Sequence, residues 1–357
     1  MINEIDLLQQ LVAIRSLSGE ERAAAAFLVT CMSGLGMEAF IDEAGNAVGK
    51  RERPDGNGQI TKEIMLLGHI DTVPGDIPVR IENGILCGRG SVDAKGPLAA
   101  FVMAAARAQL APGTRLIVAG AVEEESATSK GARHIAAHYR PNCCIIGEPS
   151  GWDGITLGYK GRLLIDYERH QPMGHSAGER EGAAQKAVTW WNGLQQIVDH
   201  FNRDRERLFD QLLPSLRQIN TTSDGLTNSA FLKVGLRLPL DFDVDAFTAA
   251  VTRLADGAML RCYAVEHAYQ SNRRTPLARA FNQAIRKAGA RPRTKLKTGT
   301  SDMNVVGPAW NCPILAYGPG DSSLDHTPDE HIDLGEYRRA IDILRDVLET
   351  LAGQPHR

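Results

Sequence analysis

The first half of the chain mixes helical apolar spacing with short apolar runs. Residues 3–15 carry Ile, Leu and Val at helical spacing, which predicts an amphipathic helix. Ser18 and Glu21 have the spacing of a capping box, so we predict that a second helix opens there. Short apolar runs predict buried strands at 64–67, 115–122 and 143–147, with helices between them at 98–110 and 130–138. Alternating strands and helices indicate an α/β domain.

The pattern changes after Pro149 and returns to its first form near residue 274. In between, it predicts a strand hairpin at 154–170, a long helix at 179–205, strands at 231–238 and 261–269 and a helix near 244–255. This order is typical of a small α+β sandwich. We therefore predict an α/β catalytic domain over residues 1–153 and 272–357, interrupted by a sandwich domain over 154–271.

Composition narrows the classes of function. The chain has 357 residues, which favours two domains, and its 43% hydrophobic and 23% charged residues are ordinary for a globular protein. The formal net charge of -3 favours neither nucleic acid nor a membrane surface as partner. The sequence shows no basic segment followed by an apolar one at its start and no apolar run long enough to span a bilayer. We expect a cytoplasmic protein.

The segment Gly68-His69-Ile70-Asp71 follows the apolar run at 64–67. Side chains two residues apart on a strand point to the same side, so His69 and Asp71 should act together. Histidine is a common metal ligand, and a nearby carboxylate often fixes the orientation of its ring. This segment therefore predicts one side of a metal site.

Other ligand-type residues also follow apolar segments. They are Asp93 between glycines, the run Glu123-Glu124-Glu125, Glu148 and His326. Ligands in α/β sheets bind beyond the carboxyl ends of strands, so these side chains should converge. Together they offer enough oxygen and nitrogen for two divalent ions, of zinc, cobalt or manganese. In the glutamate run, one residue could bind metal while its neighbour acts as a general base.

These motifs resemble the di-zinc aminoacylase, acetylornithine deacetylase and succinyl-diaminopimelate desuccinylase family of amidohydrolases and exopeptidases, over essentially the whole chain. The resemblance implies a zinc-exopeptidase-like catalytic domain with an inserted lid and dimerisation domain. It implies that His69 and Glu148 bind one zinc, that Glu125 and His326 bind the other, and that Asp93 bridges them. Asp71 would orient His69, and Glu124 would be the general base.

One register remains open within this resemblance. The family usually has Asp-Glu-Glu where this chain has three glutamates. Aligning Glu123 with the aspartate makes Glu124 the base and Glu125 the ligand. A shift by one residue would make Glu123 the base and Glu124 the ligand.

The resemblance extends to the predicted inserted domain. Met173-Gly174-His175-Ser176-Ala177 is similar to a family motif whose histidine enters the partner subunit's active site. It implies a homodimer in which His175 stabilises the oxyanion in trans. Arg237, Gly299 and Thr300 resemble family positions that bind a substrate carboxylate.

The motifs around Asp71 and Asp93 are most similar to the branch that releases lysine or ornithine from the amino-group carrier protein LysW, where the amino acid is held as an amide of the carrier's C-terminal Glu. The segment Ser271–Lys297 contains Lys and Arg but no Asp or Glu, which suits an acidic carrier. Phe281 is its only aromatic residue, which does not favour nucleic acid. The alternatives are a deacetylase of N-acetylornithine or N-acetyllysine, a dipeptidase, and a non-catalytic metal-binding protein.

Overall fold

The computed structural model describes residues 2–175 and 181–353. The chain forms two compact units. The larger comprises Met1–Gly158, Ser271–Leu296 and Ser301–Arg357, and the smaller comprises Tyr159–Gln270 and Lys297–Thr300. The predicted sandwich began at residue 154, but residues 154–158 lie in the larger unit because their strand pairs within its sheet.

The elements are numbered in chain order. The helices are α1 (Glu4–Ala13), α2 (Arg22–Gly34), α3 (Lys95–Arg107), α4 (Lys130–His138), α5 (Ala183–Asn202), α6 (Val244–Arg253), α7 (Pro276–Lys287), α8 (Met303–Trp310) and α9 (Leu334–Gly353). The strands are β1 (Glu38–Ile41), β2 (Ala47–Arg53), β3 (Lys62–His69), β4 (Arg80–Glu82), β5 (Ile85–Cys87), β6 (Thr114–Ala121), β7 (Cys143–Gly147), β8 (Gly154–Tyr159), β9 (Gly161–Pro172), β10 (Leu213–Ser223), β11 (Thr227–Leu238), β12 (Met259–Glu266), β13 (Tyr269–Gln270), β14 (Arg293–Lys297), β15 (Ile314–Ala316) and β16 (His331–Asp333).

The main sheet of the larger unit has the strand order β1-β2-β6-β3-β7-β15-β8, and β14 also pairs with β8. Strand β3 runs parallel to β6 and β7, and β7 runs parallel to β15. The outer pairs β2–β6 and β15–β8 are antiparallel. The predicted α/β class is therefore confirmed as a mixed sheet whose central strands are parallel.

The central strands are buried on both faces, which explains why they read as continuous apolar runs. In β3, Ile64, Met65, Leu66 and Leu67 are all fully buried. Helix α3 contacts β3 and β6, while α4 and α8 contact each other and reach β6 and β15. Small and apolar residues occupy nearly all of α3, because α1 and α9 pack against it as well.

A second, small sheet in the larger unit has the order β16-β5-β4. Strands β5 and β16 are antiparallel, with Cys87 opposite His331. This pairing joins a segment that leads to Asp93 with one that follows His326. It therefore brings together two motifs that are distant in the sequence.

The smaller unit has an antiparallel sheet with the order β10-β11-β9-β12. Helices α5 and α6 supply apolar residues to a core of their own with β9 and β11. Trp190 lies in that core and donates from its indole Nε1 to the backbone oxygen of Val251 at 3.0 Å. The neighbouring Trp191 packs against the same core and is partly buried.

One local prediction is wrong, and one strand of the structure has no counterpart among the predicted elements. The prediction of a capping box at Ser18 and Glu21 is wrong. Helix α2 begins at Arg22, and the Ser18 hydroxyl donates instead to the carboxylate of Asp71 at 2.7 Å. Strand β10 is an edge strand, and its residues from Ser215 onward are all exposed. Because neither of its faces is buried, its sequence lacks the alternation of apolar and polar residues that predicts a strand.

In residues 2–175 and 181–353, no helix combines the length and apolarity needed to cross a bilayer.

Gly131, in the first turn of α4, provides a test of the packing. A Cβ atom at Gly131 would lie 2.5 Å from the backbone nitrogen and 2.7 Å from the backbone oxygen of Val122. We expect Gly131→Ala to lower the free energy of unfolding by about 1–3 kcal/mol, because the backbone must move to admit a methyl group.

Gly34 is the matched control, since a Cβ atom there would meet no atom within 4 Å. Gly34→Ala should leave stability unchanged or raise it by up to about 1 kcal/mol, as expected for Ala in a helix. Thermal unfolding followed by circular dichroism compares the two. Equal midpoints for both variants would contradict the packing described here.

Candidate metal centre

The carboxyl ends of the three central parallel strands meet at one edge of the main sheet. Strand β3 ends at His69, which lies opposite Ala121 at the end of β6, and Gly68 lies opposite Gly147 at the end of β7. The chain continues from β6 into residues 123–125 and from β7 into Glu148. Strand pairing thus brings the predicted His69, the glutamate run and Glu148 to one place.

Asp93 lies at the centre of the cluster, between two imidazoles. His69 Nε2 is 3.3 Å from Asp93 Oδ1, and His326 Nε2 is 3.1 Å from Asp93 Oδ2. Each oxygen of the carboxylate therefore faces a different histidine. This is the geometry expected of a carboxylate that can serve two sites at once.

The other glutamates complete the cluster on either side. His326 Nε2 is 3.0 Å from Glu125 Oε1, and His69 Nε2 is 3.9 Å from Glu148 Oε1. Within the described residues, three groups have ligand atoms that all lie within 4.8 Å of one another: His69–Asp93–Glu148, Asp93–Glu125–His326 and His69–Glu124–Glu125. The first two share Asp93.

Asp71 is completely buried, and its carboxylate accepts hydrogen bonds from the backbone of the glutamate run. Its Oδ1 accepts the N–H of Glu124 at 3.1 Å and its Oδ2 accepts the N–H of Glu125 at 3.0 Å. His69 Nδ1 lies 3.0 Å from the backbone oxygen of Asp71 and 3.5 Å from Oδ1. The Asp71 carboxylate therefore holds the glutamate loop, while its backbone oxygen contacts the imidazole.

The electrostatics of the cluster favour positive charge. Hydrogen bonds to Asp93 and Glu125 raise the pKa of His326 to about 10. Burial opposes protonation of His69, yet its contacts with Asp71 and Asp93 raise its pKa well above the usual value. Burial alone would raise the pKa of Asp93, but the two imidazoles hold it below the ordinary range.

This donor set fits divalent metal ions. Imidazole nitrogen and carboxylate oxygen are the ligands that zinc, cobalt and manganese accept, and the carboxylates exceed the histidines in number. A cation placed among them would satisfy the demand for positive charge that otherwise draws protons to both imidazoles. His69, Asp93, Glu125, Glu148 and His326 are the residues that could hold such ions.

The three glutamates after β6 have different surroundings. Glu123 has a positive φ of 57° and faces away: its Oε2 accepts the Thr128 hydroxyl at 2.5 Å, and Lys130 Nζ lies 3.8 Å from its Oε1. The ligand groups of the described residues include Glu124 and Glu125 but not Glu123. Within the glutamate run, the carboxylates that face the cluster are therefore those of Glu124 and Glu125.

Glu124 and Glu125 have different surroundings: the Glu125 carboxylate contacts His326 at 3.0 Å, whereas Glu124 belongs to the ligand group that contains His69. Burial, together with the negative charges of Glu125, Asp302 and Glu148, raises its pKa well above the usual value, although His69 opposes this. A raised pKa makes a carboxylate a stronger base, which is the property that a general base requires.

The remaining predicted site residues belong to the smaller unit. His175 is exposed on the segment after β9, and Ser176 and Ala177 of its motif lie outside the described residues. Arg237, on β11, donates from Nη1 to the Thr300 hydroxyl at 2.8 Å, and that hydroxyl donates to the backbone oxygen of Lys160 at 3.0 Å. Gly299 lies in the same short segment as Thr300.

Sequence reasoning missed three polar residues that support the cluster. Besides Ser18, which donates to Asp71, the buried Glu21 accepts the N–H of Glu123 at 3.0 Å. The buried Glu330 accepts two backbone N–H groups of the segment that contains Asp93. Glu330 lies shortly after His326 in the chain, and that proximity is its only signal in the sequence.

Comparison with known proteins assigns the chain to a family. The profile of peptidase family M20/M25/M40 matches residues 65–350. A relative from Deinococcus radiodurans, named LysW-lysine hydrolase, is 45% identical over 98% of this chain and 97% of its own. A relative from Thermococcus kodakarensis, named putative LysW-lysine/LysW-ornithine hydrolase, is 41% identical over 99% of this chain and 94% of its own.

The fold agrees with that assignment. An M20 family metallo-carboxypeptidase from Sulfolobus solfataricus superimposes with a TM-score of 0.80, covering 99% of this chain and 100% of the other at 17% identity. The family resemblance noted from the motifs is thus confirmed, and with it a metallohydrolase class that uses divalent metal ions. The chain belongs to peptidase family M20/M25/M40.

Proposed function

We propose that this chain is a metal-dependent amidohydrolase that releases lysine, ornithine or both from the amino-group carrier protein LysW, in lysine or arginine biosynthesis. The observation that carries the chemistry is the pair of ligand groups that share Asp93, with the carboxylate of Glu124 beside them. The two relatives named for LysW substrates carry the choice of substrate, since both align with nearly the whole chain.

We further propose two metal ions, zinc first and cobalt as the alternative. His69 and Glu148 would hold one, Glu125 and His326 the other, and Asp93 would be shared. Bound ions would lower the pKa of a water molecule and polarise the scissile carbonyl. The support is that each group contains one imidazole and two carboxylates within ligand distance of one another.

The proton transfers are assigned to Glu124. Its carboxylate would take the proton of the water that attacks the carbonyl carbon of the amide. As the C–N bond breaks, the same carboxylate would return that proton to the leaving amine nitrogen of lysine or ornithine. The carrier would keep the new carboxylate on its C-terminal Glu. Asp71 would hold this loop in place through the N–H groups of Glu124 and Glu125.

Residues of the smaller unit complete the proposal. We assign oxyanion stabilisation in trans to His175, which implies a homodimer, and its exposed position leaves it accessible to another subunit. We assign recognition of the substrate carboxylate to Arg237 with Gly299 and Thr300. A guanidinium pre-positioned by the Thr300 hydroxyl is well suited to a carboxylate.

Carrier recognition is assigned to the basic segment 273–297, of which all but Lys297 belongs to the larger unit. Its charged residues are Arg273, Arg274, Arg279, Arg286, Lys287, Arg291, Arg293, Lys295 and Lys297. On α7, Arg279 and Arg286 are both exposed and two helical turns apart, so they lie on one face. Such a face would attract an acidic protein and accelerate its association.

The proposed function is tested by amino-acid release. The zinc-loaded protein is incubated with LysW-linked lysine, LysW-linked ornithine, N-acetyllysine and N-acetylornithine at equal concentration, and free amino acid is quantified. We expect release mainly from the carrier, with the lysine-to-ornithine ratio defining the pathway. Release mainly from the acetylated amino acids would make it a conventional deacetylase, and release from none would favour a non-catalytic metal-binding protein.

Replacing Glu124 by Gln separates the base from the ligands. The variant keeps the size of the side chain but cannot take a proton, so we expect kcat to fall by about 10²–10⁴-fold while the metal content stays at the wild-type level. Activity assays and elemental analysis on the same preparation measure both. Preserved turnover would contradict the assigned mechanism, whereas loss of metal would support the register in which Glu124 is a ligand.

The basic face is tested by reversing charge on α7. In the double variant Arg279→Glu and Arg286→Glu, we expect kcat/KM for carrier-linked substrate to fall about tenfold or more at low salt, with kcat unchanged, because long-range attraction is lost. Added salt should reduce the difference between variant and wild type.

A matched double variant, Arg203→Glu and Arg253→Glu, changes the net charge equally at exposed positions of the smaller unit. It should retain kcat/KM for the carrier-linked substrate. The α7 variant should also keep wild-type hydrolysis of any free acetylated amino acid that the protein accepts. An unchanged kcat/KM for the carrier in the α7 variant would remove this face from the proposal.

A further inference from the structure

Glu330 is a buried carboxylate outside the ligand groups of the described residues. Its side chain is fully buried, and the residue lies shortly after His326 in the sequence. A charge in such a place is costly unless each oxygen has a partner. The partners of Glu330 lie on the segment that carries Asp93.

Glu330 contacts both ends of the segment 88–93. Its Oε1 accepts the backbone N–H groups of Val92 at 3.0 Å and of Asp93 at 3.1 Å. Its own backbone oxygen accepts the N–H of Gly88 at 3.2 Å. The whole segment 88–93 is thereby fastened to the residue that follows the His326 loop.

Arg89 holds the second oxygen of the carboxylate. Its Nη1 donates to Glu330 Oε2 at 2.7 Å, and its Nε donates to the backbone oxygen of Gly75 at 3.0 Å. The side chain of Arg89 is only 12% exposed, so solvent screens this pair little. Lys95, also buried, adds a further positive charge that Glu330 attracts.

We infer that Glu330, held by Arg89, is a positioning residue: it fixes the backbone of Asp93 so that the Asp93 carboxylate faces His69 and His326 together. The inference rests on the proposed function, in which Asp93 is the shared ligand. Without this brace, the segment 88–93 would lose the acceptor for two N–H groups, and the Asp93 carboxylate would lose its fixed direction. Residues behind a metal ligand typically change metal affinity by about 10- to 100-fold when they are removed.

The test is a cobalt titration of the metal-free, full-length protein, followed by the visible absorption of the bound ion and by competition with a chelator. No substrate is involved. The variants are Glu330→Ala, which removes the brace, and Glu330→Gln, which keeps a carbonyl acceptor for the two N–H groups but loses the charge that pairs with Arg89.

We expect Glu330→Ala to weaken cobalt affinity by about 10- to 100-fold and to change the absorption spectrum. Glu330→Gln should weaken it by about fivefold or more but by less than Ala, because the charged hydrogen bond is lost. Wild-type affinity together with a wild-type spectrum in either variant overturns the inference. Should the Ala variant fail to fold, the same criterion is applied to the Gln variant alone.

Leu348→Ala is the control for general destabilisation. Leu348 is fully buried in α9, one helical turn before Leu351. The backbone oxygen of Leu351 accepts a hydrogen bond from Lys62 Nζ at 2.7 Å, at the start of β3. Leu348 therefore lies near the end of β3 opposite to His69. It should lower thermal stability yet leave cobalt affinity and spectrum unchanged. An equal loss of affinity in Leu348→Ala would assign the effect of Glu330 to stability alone. Failure of the wild type to hydrolyse carrier-linked substrate would leave this result intact, so the two failures are distinguishable.

Discussion

The organisation of the site depends on one carboxylate that lies between two imidazoles. Asp93 approaches His69 with one oxygen and His326 with the other, at 3.3 Å and 3.1 Å. Because each oxygen contacts a different histidine, the ligand groups on the two sides have Asp93 in common, and a shift of one group would also move the other. The concentration of negative charge around them makes protons or metal ions necessary, and it explains why both imidazoles have raised pKa values.

Two buried carboxylates hold this arrangement through the backbone rather than through the ligands themselves. Asp71 accepts the N–H groups of Glu124 and Glu125, and Glu330 accepts those of Val92 and Asp93. Each fixes a loop that leaves a strand end, so the strand pairing of the sheets sets where the loops start and the carboxylates set how they continue. The direction of each candidate ligand therefore depends on the conformation of the backbone that carries it.

The sequence predicted the features that depend on strand ends and missed those that depend on loop conformation. Apolar runs predicted β3, β6 and β7, and ligand-type residues at or soon after their ends, among them His69, Glu125 and Glu148, lie close together in the structure. The sequence leaves the glutamate register open, because the direction of each side chain depends on backbone angles such as the positive φ of Glu123, which turns that side chain toward Thr128. The spacing of a capping box predicts a helix cap at Ser18, but spacing alone cannot distinguish a helix N–H from the distant Asp71 as the partner of its hydroxyl. The roles assigned to the candidate metal ligands, to Asp71 and Glu124, and to His175, Arg237, Gly299 and Thr300 all stay predictions.

The most direct test of the central claim is anomalous X-ray diffraction from crystals of the zinc-loaded protein, recorded on both sides of the zinc absorption edge. We expect two anomalous peaks that share Asp93, one also bound by His69 and Glu148 and the other by Glu125 and His326. A single peak, two peaks without a shared Asp93, or a peak bound by Glu123 would contradict it.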